Sequence, residues 1–368
     1  MKIAHILYEL KFSGAEIMYV DAAPVFQKKG CELMVVAGSP QLGEYAPYFE
    51  RAGYKVFHKP FPRLKNYGGR IKYYRRFIKF IKEEKIDVVH IHSHDSMWGM
   101  ALCAWLAGVK SVKTFHAIFP TSWYSYFYHY LLRWSAKVIF KCKFQSISDS
   151  VYKHELKLYG NKTMKLNNWY GSNRFYPAID NEKNEMRYEL SIPSDAMVLI
   201  TVGGCNDNKR HHDVIKAIPL ILEKIPNLIY LHLGTGDTEN EEKKLAQDLG
   251  VYQYIRFYGN QKDVRKYLVA SDIYLMISRF EGISITTIEA MACNIPTILY
   301  DVPGLRDFNL KGQNSILIPE NYEILVEKVI DLYLNPSIGI EIAKNAMIMV
   351  NEEYDLEKNA SKVYELYL

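Results

Sequence analysis

Two carboxylates and a pair of basic side chains are the residues most able to do chemistry in this chain. Glu281 and Glu289 stand with seven residues between them in the stretch Ser278 to Asp307, SRFEGISITTIEAMACNIPTILYDVPGLRD. If that spacing is helical, the rise of 1.5 Å per residue keeps the two within roughly 10 Å of each other. Both can then touch one elongated ligand. A carboxylate accepts hydrogen bonds from neighbouring hydroxyls, which suits a sugar or a ribose. The backbone N–H groups of Gly282, Ile283 and Ser284, at the start of that helix, can receive an anion. Lys209-Arg210 forms a basic pair in another loop. Plainer readings stand beside these. Thr286 and Glu289 fit a capping box, as do Ser278 and Glu281. Lys209-Arg210 can be a solvated basic loop.

Those residues need elements to hold them. Ile273 to Ile277 reads as a buried parallel strand, and a loop with Glu281-Gly282 at its tip follows. From Ser284 the pattern turns helical on Ile285, Ile288 and Met291-Ala292, with Pro296 past the end and a strand at Thr297 to Tyr300. This is a βαβ unit whose helix start points at the carboxyl end of the sheet, where such folds bind ligands. Met197 to Val202 is another strand, followed by Gly203-Gly204 and then by Lys209-Arg210-His211-His212-Asp213 leading into a helix. Tyr230 to Leu233 and Ile255 to Gly259 add further strands. Near the start, Lys2 to Leu7 runs into Ser13-Gly14-Ala15-Glu16 and a helix. That is either a phosphate-binding layout or an ordinary tight connection. Asp87 to His94 reads as a strand placing His90, His92 and His94 on one face, which could ligate a metal or simply be structural. Asn181 to Asp195 is polar and reads as linker surface. Glu320 to Leu368 is helical in pattern.

With 368 residues, 49% hydrophobic and 24% charged, the chain is globular and too long for one ordinary core. Its cysteines, Cys31, Cys103, Cys142, Cys205 and Cys293, are scattered singly. That points to a reducing compartment and away from a structural zinc site. Glu9 and Lys11 interrupt the only early apolar run, so no signal peptide is expected. No apolar run approaches the roughly 18 residues of a membrane span. The net charge is +5, but Lys55 to Lys82 carries Lys59, Arg63, Lys65, Arg70, Lys72, Arg75, Arg76 and Lys79 with no acidic residue among them. Tyr73, Tyr74, Phe77 and Phe80 interleave. The segment is either a basic amphipathic helix for a membrane surface or a surface helix with a core-facing aromatic stripe. A second aromatic crowd, Trp123 to Trp134, is part core and part interface or acceptor platform. No nucleic-acid module accompanies the basic run, so no nucleic-acid partner is expected.

The string Glu281-Gly282, Glu289-Ala290-Met291-Ala292 and Pro296 resembles the signature of the retaining glycosyltransferases of family 4. That resemblance implies an α/β architecture of two Rossmann-like domains facing across a cleft, the GT-B fold. It implies an acceptor-side domain over 1–175 with the last helix, 350–368, and a nucleotide-sugar domain over 190–349. It implies transfer of a sugar from a nucleotide-diphosphate sugar with retention, onto a glycan or lipid-linked acceptor in bacterial surface polysaccharide or glycolipid synthesis. Glu281 would hold sugar hydroxyls, Glu289 the ribose, and Lys209 with the helix start at Gly282 to Ser284 the diphosphate. Gly14 and Gly204 would lie in the donor-side glycine turns, and His116 would line the sugar pocket. No Asp-x-Asp occurs, so neither metal nor cofactor is expected. The protein would work in the cytoplasm, held through 55–82 at the inner face of the cell membrane. Departures from the family pattern are Asn294, Asp307, Ser13, Trp169 and, most serious, Gly204 where relatives carry Arg, with Arg210 as the stand-in. Two alternatives remain: a metal-free nucleotide-sugar epimerase using Asp95, and a non-catalytic nucleotide-sugar-binding protein.

Overall fold

The short branched and aromatic runs become buried strands in two sheets, because a strand covered on both faces needs apolar side chains on both. The structure is a computed structural model that describes residues 1–62, 67–118 and 123–368. Its first unit is Met1–Trp169 with Leu356–Leu368. It holds β1 (Lys2–Leu7), β2 (Glu32–Ala37), β3 (Lys55–His58), β4 (Val88–Ile91), β5 (Lys110–Phe115), β6 (Lys143–Ser146) and β7 (Met164–Lys165). Their order is β3-β2-β1-β4-β5-β6-β7, each neighbouring pair parallel. The second unit is Tyr170–Asp355. It holds β8 (Met197–Val202), β9 (Leu228–Leu233), β10 (Ile255–Gly259), β11 (Ile273–Met276), β12 (Thr297–Tyr300) and β13 (Ile316–Ile318) in the order β10-β9-β8-β11-β12-β13, again all parallel. In each sheet the strand order reverses once, between β1 and β4 and between β8 and β11. That reversal opens a crevice at the strands' carboxyl ends.

The end of the chain is helical, as its pattern predicts, but in three pieces: Tyr322–Leu334, Pro336–Glu353 and Leu356–Glu365. Pro336, tolerated only in a first turn, starts the second of them. The last helix belongs to the first unit. Tyr367 just beyond it is fully buried there, its hydroxyl 2.6 Å from His90 Nδ1.

One expectation is corrected, and the basic run shows the core-facing aromatic stripe of one of its two readings. The polar stretch Asn181 to Asp195 is no linker but contains a helix, Glu182–Glu189, packed on helix Arg265–Ala270. Arg187 is buried and bonds Asp272 Oδ2 at 2.7 Å, while Lys183 takes Oδ1 at 2.7 Å and Arg265 pairs with Glu182. These charges have partners distant in sequence, so the stretch looks solvated only when read alone. The basic run is a helix, Tyr67–Glu83, whose aromatic stripe faces inward. Phe77 and Phe80 are buried, and the Tyr73 ring packs on Phe61 and Phe77. The exposed face carries Lys72, Arg75, Arg76, Lys79 and Lys82, beside Ile71 and Glu83, which pairs with Lys79 at 3.4 Å. Arg63 and Lys65, and the side chains of Trp123 and Tyr124, lie outside the described residues.

Candidate functional site

Where β8 and β11 diverge, two loops meet at the carboxyl ends of their strands. The loop from Gly203 to Arg210 follows β8, and that from Ile277 to Ser284 follows β11. They are stitched together: Arg279 N–H donates to Asn208 O at 2.8 Å, and Asn208 Nδ2 donates to Phe280 O at 3.0 Å. The stitching brings Lys209 Nζ to 2.6 Å from Glu281 Oε1, with the two side chains only 19% and 14% exposed. Glu281 is also held from behind, its N–H on Pro303 O at 3.0 Å. That close approach requires Gly304, at φ +83°, because a Cβ there would stand 2.3 Å from Glu281 O. The pair is an ammonium and a carboxylate on one rim, able to take a phosphate and a polyol respectively.

The helix behind Glu281 is Ile285–Ala292, and its cap is Ser284, whose hydroxyl accepts from Thr287 N–H at 3.2 Å. Thr286 is therefore inside the helix, bonding Val202 O at 3.1 Å and meeting the Tyr274 hydroxyl at 2.8 Å. This removes the capping-box reading of Glu289, which lies one turn further in and is 5% exposed. Gly282, Ile283 and Ser284 form the buried entry to the same helix.

Arg210 does not join this pair. It sits at φ +53° as the residue before helix His211–Leu222. Its guanidinium reaches Asp213 Oδ2 at 2.9 Å and Glu320 Oε2 at 2.5 Å, over the Tyr300 ring. Two carboxylates already take up its charge, so it is a poor stand-in for the Arg missing at Gly204. Asn208 was missed in the sequence. Besides tying the loops together, it has a buried Oδ1 with no hydrogen-bond partner. The signal was the turn-forming run Asn206-Asp207-Asn208. Asn206 Oδ1 accepts from the N–H groups of Asn208 and Lys209 at 3.1 and 3.2 Å, an Asx-type turn that sets the Lys209 backbone.

The corresponding crevice of the first unit is built differently. After β1, Ser13 is extended at φ −141°, a conformation any residue adopts, so replacing the family's Gly costs no strain. Its hydroxyl donates to the Glu16 carboxylate, and Gly14 opens the helix Gly14–Asp21. Burial pushes the Glu16 carboxyl up to about 7 against the pull of that bond. Histidines fill the space between β1 and β4. His5 Nδ1 lies 3.1 Å from His92 Nε2, and His92 Nδ1 lies 2.9 Å from His116 Nε2. Burial pushes His5 and His116 down to about 3 and holds His90 and His92 well below the usual histidine range. All four are neutral at pH 7. Lys113, also buried and pushed down to about 7, donates to His92 O and Ser93 O at 2.8 and 3.1 Å.

His90, His92 and His94 do not share one strand face, and it is His5, His90 and His92 whose ring nitrogens gather within 4.8 Å of one another. β4 ends at Ile91, and both nitrogens of His90 are engaged, by Tyr367 and by Thr114. His94 instead lines a cavity of about 380 Å³ with Tyr8, Asp95, His129, Arg133 and His154. There Arg133 is neutralised by Glu155 through two bonds of 2.9 Å. This cavity opens on the loops after β4 and β5.

Comparison with known proteins agrees with both halves. The model of Glycosyltransferase Family 4 matches residues 12–146, and that of Glycosyl transferases group 1 matches residues 182–349. The chain belongs to the family 4 glycosyltransferases and has their GT-B fold of two parallel-sheet domains. EpsD of Bacillus subtilis (strain 168) is 26% identical over 359 residues, covering 93% of this chain and 91% of that protein. The UDP-Gal:alpha-D-GlcNAc-diphosphoundecaprenol alpha-1,3-galactosyltransferase of Escherichia coli is 24% identical over 79% of this chain and 77% of its own length. Among solved structures, Anabaena Alr3699/HepE in complex with UDP superposes with a TM-score of 0.84 over 99% of each chain, at 18% identity. Membership in a glycosyltransferase family favours the transferase over the epimerase alternative.

Proposed function

We propose that this glycosyltransferase takes its sugar from a nucleotide-diphosphate donor and transfers it with retention, without a bridging metal. The Lys209–Glu281 pair at the β8/β11 crevice carries the proposal. As the sugar leaves, negative charge grows on the diphosphate. Lys209 and the helix entry at Gly282 to Ser284 offset it where water is largely excluded. Glu281 holds donor-sugar hydroxyls and Glu289 the ribose. His116, kept neutral, serves as a hydrogen-bonding partner for the sugar. The leaving phosphate assists attack on the same face, so no protein nucleophile is needed. The UDP bound by Anabaena Alr3699/HepE makes UDP-sugars the first donors to try. A thermal-shift screen tests this, since a donor at 100 times its dissociation constant adds roughly 2.7 kcal/mol. Product NMR then reads the anomeric configuration, and turnover with and without added magnesium or manganese reads the need for a bridging metal. Inversion at the anomeric carbon, or turnover that depends on added magnesium or manganese, would overturn the corresponding part.

The acceptor is lipid-linked, and the first unit meets an anionic membrane surface in polysaccharide or glycolipid synthesis. Helix Tyr67–Glu83 packs on Met97–Ala107, which packs on Trp123–Val138. The first presents the basic face described above. The other two expose Trp105, Leu106, Phe127, Leu131, Trp134 and Val138. Phe127, Leu131, Trp134 and Val138 follow helical spacing along one stripe. The apolar part of this surface thus comes from the second and third helices, not from the aromatics of the basic one. Basic residues near such a surface contribute about 1 kcal/mol each. The name of the Escherichia coli relative, with its diphosphoundecaprenol acceptor, supports the same reading. Flotation with anionic vesicles checks it. Binding should weaken in salt and in the quadruple reversal of Lys72, Arg75, Arg76 and Lys79 to Glu. An absence of binding at low salt would point to a soluble acceptor.

A further inference from the structure

Beneath the Gly203–Arg210 loop lies a second cluster of chemistry-bearing groups that the proposed transfer does not use. Cys205, His211, His232 and Glu242 are all buried, none more than 3% exposed. They come from four elements: the loop after β8, the start of helix His211–Leu222, strand β9 and helix Glu239–Asp248. Cys205 Sγ is 3.9 Å from His232 Nε2, which is 3.0 Å from Glu242 Oε2. One donor atom from each of Cys205, His232 and Glu242 falls within 4.8 Å of the others. With metal–sulfur bonds near 2.3 Å and metal–nitrogen or –oxygen bonds near 2.0 Å, tetrahedral geometry sets ligand atoms roughly 3.3–3.6 Å apart. The two observed spacings bracket that range. The buried His211 ring lies 4.5 Å from that of His232 and meets the Gly203 backbone without a well-formed hydrogen bond at either nitrogen. A buried imidazole so weakly satisfied is costly, and native interiors rarely keep one without a reason. The other oxygen of Glu242 is fixed by the Thr238 hydroxyl at 2.6 Å, the kind of outer support that metal-binding carboxylates have.

We propose that Cys205, His232 and Glu242, with His211 in the fourth position, form a structural zinc site. Mixed sulfur, nitrogen and oxygen donors suit zinc rather than magnesium or calcium. On binding, the Cys205 S–H bond breaks, its proton passes to solvent, and the thiolate electron pair forms the metal–sulfur bond. The imidazoles enter neutral and Glu242 enters as carboxylate, so two negative ligands balance the dication. Before binding, burial and the Glu242 charge hold the Cys205 thiol far above its ordinary range and therefore protonated. The scattered cysteines argued against such a site only because the ligands are gathered from four elements instead of one Cys-x-x-Cys. Cys205 and His211 are close to the two ends of the loop that carries Lys209, so the ion would brace that loop without touching the donor.

The test uses the full chain, purified without chelator and dialysed, and does not depend on turnover. Elemental analysis should find close to one zinc per chain. Cobalt added to chelator-treated protein should give sulfur-to-cobalt charge-transfer absorption with tetrahedral ligand-field bands. Cys205→Ser should abolish both, His211→Ala should weaken metal affinity at least tenfold, and Cys293→Ser should change neither. Because Cys205→Ser could misfold, the wild-type chain decides. Folded wild-type protein without stoichiometric zinc and without cobalt–thiolate absorption overturns the proposal, whatever donor binding shows. Zinc that is retained in Cys205→Ser overturns it as well.

Discussion

The two crevices share a topology and differ in charge. Between β1 and β4 the buried groups are histidines kept neutral by burial, and even Lys113 is pushed to about 7. Between β8 and β11 a lysine and a glutamate form an ion pair at 2.6 Å, only partly exposed. One topology thus holds two different electrostatic environments. The second crevice has charge to meet an anion. The first offers hydrogen bonds and shape, suited to uncharged hydroxyls. Experiments that remove charge should therefore act through the second unit, and those that add protons through the first.

The largest expected effect is that of Glu281→Gln. The amide keeps shape but loses the charged acceptor, so kcat should fall by about 10²-fold or more while the melting temperature barely moves. Transfer at the wild-type rate would remove Glu281 from the site. Lys209→Ala should raise donor KM and lower kcat together, by roughly 10- to 100-fold in kcat/KM, because its charge acts on both bound donor and transition state. It also leaves Glu281 partly buried beside no cation, so some loss of thermal stability should accompany it. A change confined to KM would mean that Lys209 only binds.

Acid should separate the units. His5 and His116 are at about 3 in the folded chain, against about 6.5 when unfolded. Between those values the unfolded chain binds more protons. Their contribution to stability is thus complete above about pH 6.5 and is lost as pH falls toward 3. His90 and His92 act in the same direction. Glu16, raised to about 7, acts oppositely between its ordinary value and 7, but it is one group against four. The second unit has His211 alone at about 3. In chelator-treated protein, hydrogen exchange at pH 7 and pH 5, corrected for intrinsic rates, should show amides of β1 and β4 losing more protection than those of β8 and β11. Equal losses would mean that the histidine cluster is hydrated.

The strand, glycine turn and helix units were legible because a buried parallel strand leaves a continuous apolar run and a helix a 3.6-residue stripe. The closeness of Lys209 and Glu281 was not legible from spacing, since 72 positions separate them; it came from the resemblance. What stayed hidden were the partners. Arg210 looked available because Glu320, 110 positions away, cannot be seen as its counter-ion in sequence. Thr286 looked like a cap because Glu289 follows it by three, but Ser284 takes that place with its hydroxyl on Thr287 N–H, while Thr286 bonds Val202 O. Glu182 and Arg187 read as linker charges until Arg265 and Asp272 are beside them. Local pattern names an element, but a charge's role depends on a neighbour that pattern does not name.

The smallest effect should come from adding charge to the second crevice at Gly204, where relatives carry Arg. The glycines around this loop are not equivalent. Gly234 is at φ +137°, and a Cβ there would stand 1.9 Å from Gly203 O, so Gly234→Ala should lower the melting temperature measurably. Gly204 is exposed, is not left-handed, and would place its Cβ 3.4 Å from Thr235 O, an ordinary contact. An arginine can therefore be built outward without moving the backbone. A hydrogen bond to a charged group contributes about 1.5–3 kcal/mol, part of which is lost in ordering a long side chain. Gly204→Arg should thus keep the fold and lower donor KM by roughly 3- to 10-fold, with kcat little changed. Steady-state kinetics with the best donor from the thermal-shift screen would measure it. A folded Gly204→Arg variant that binds donor more weakly would mean that the diphosphate does not pass over Gly204, and that Lys209 meets it from another side.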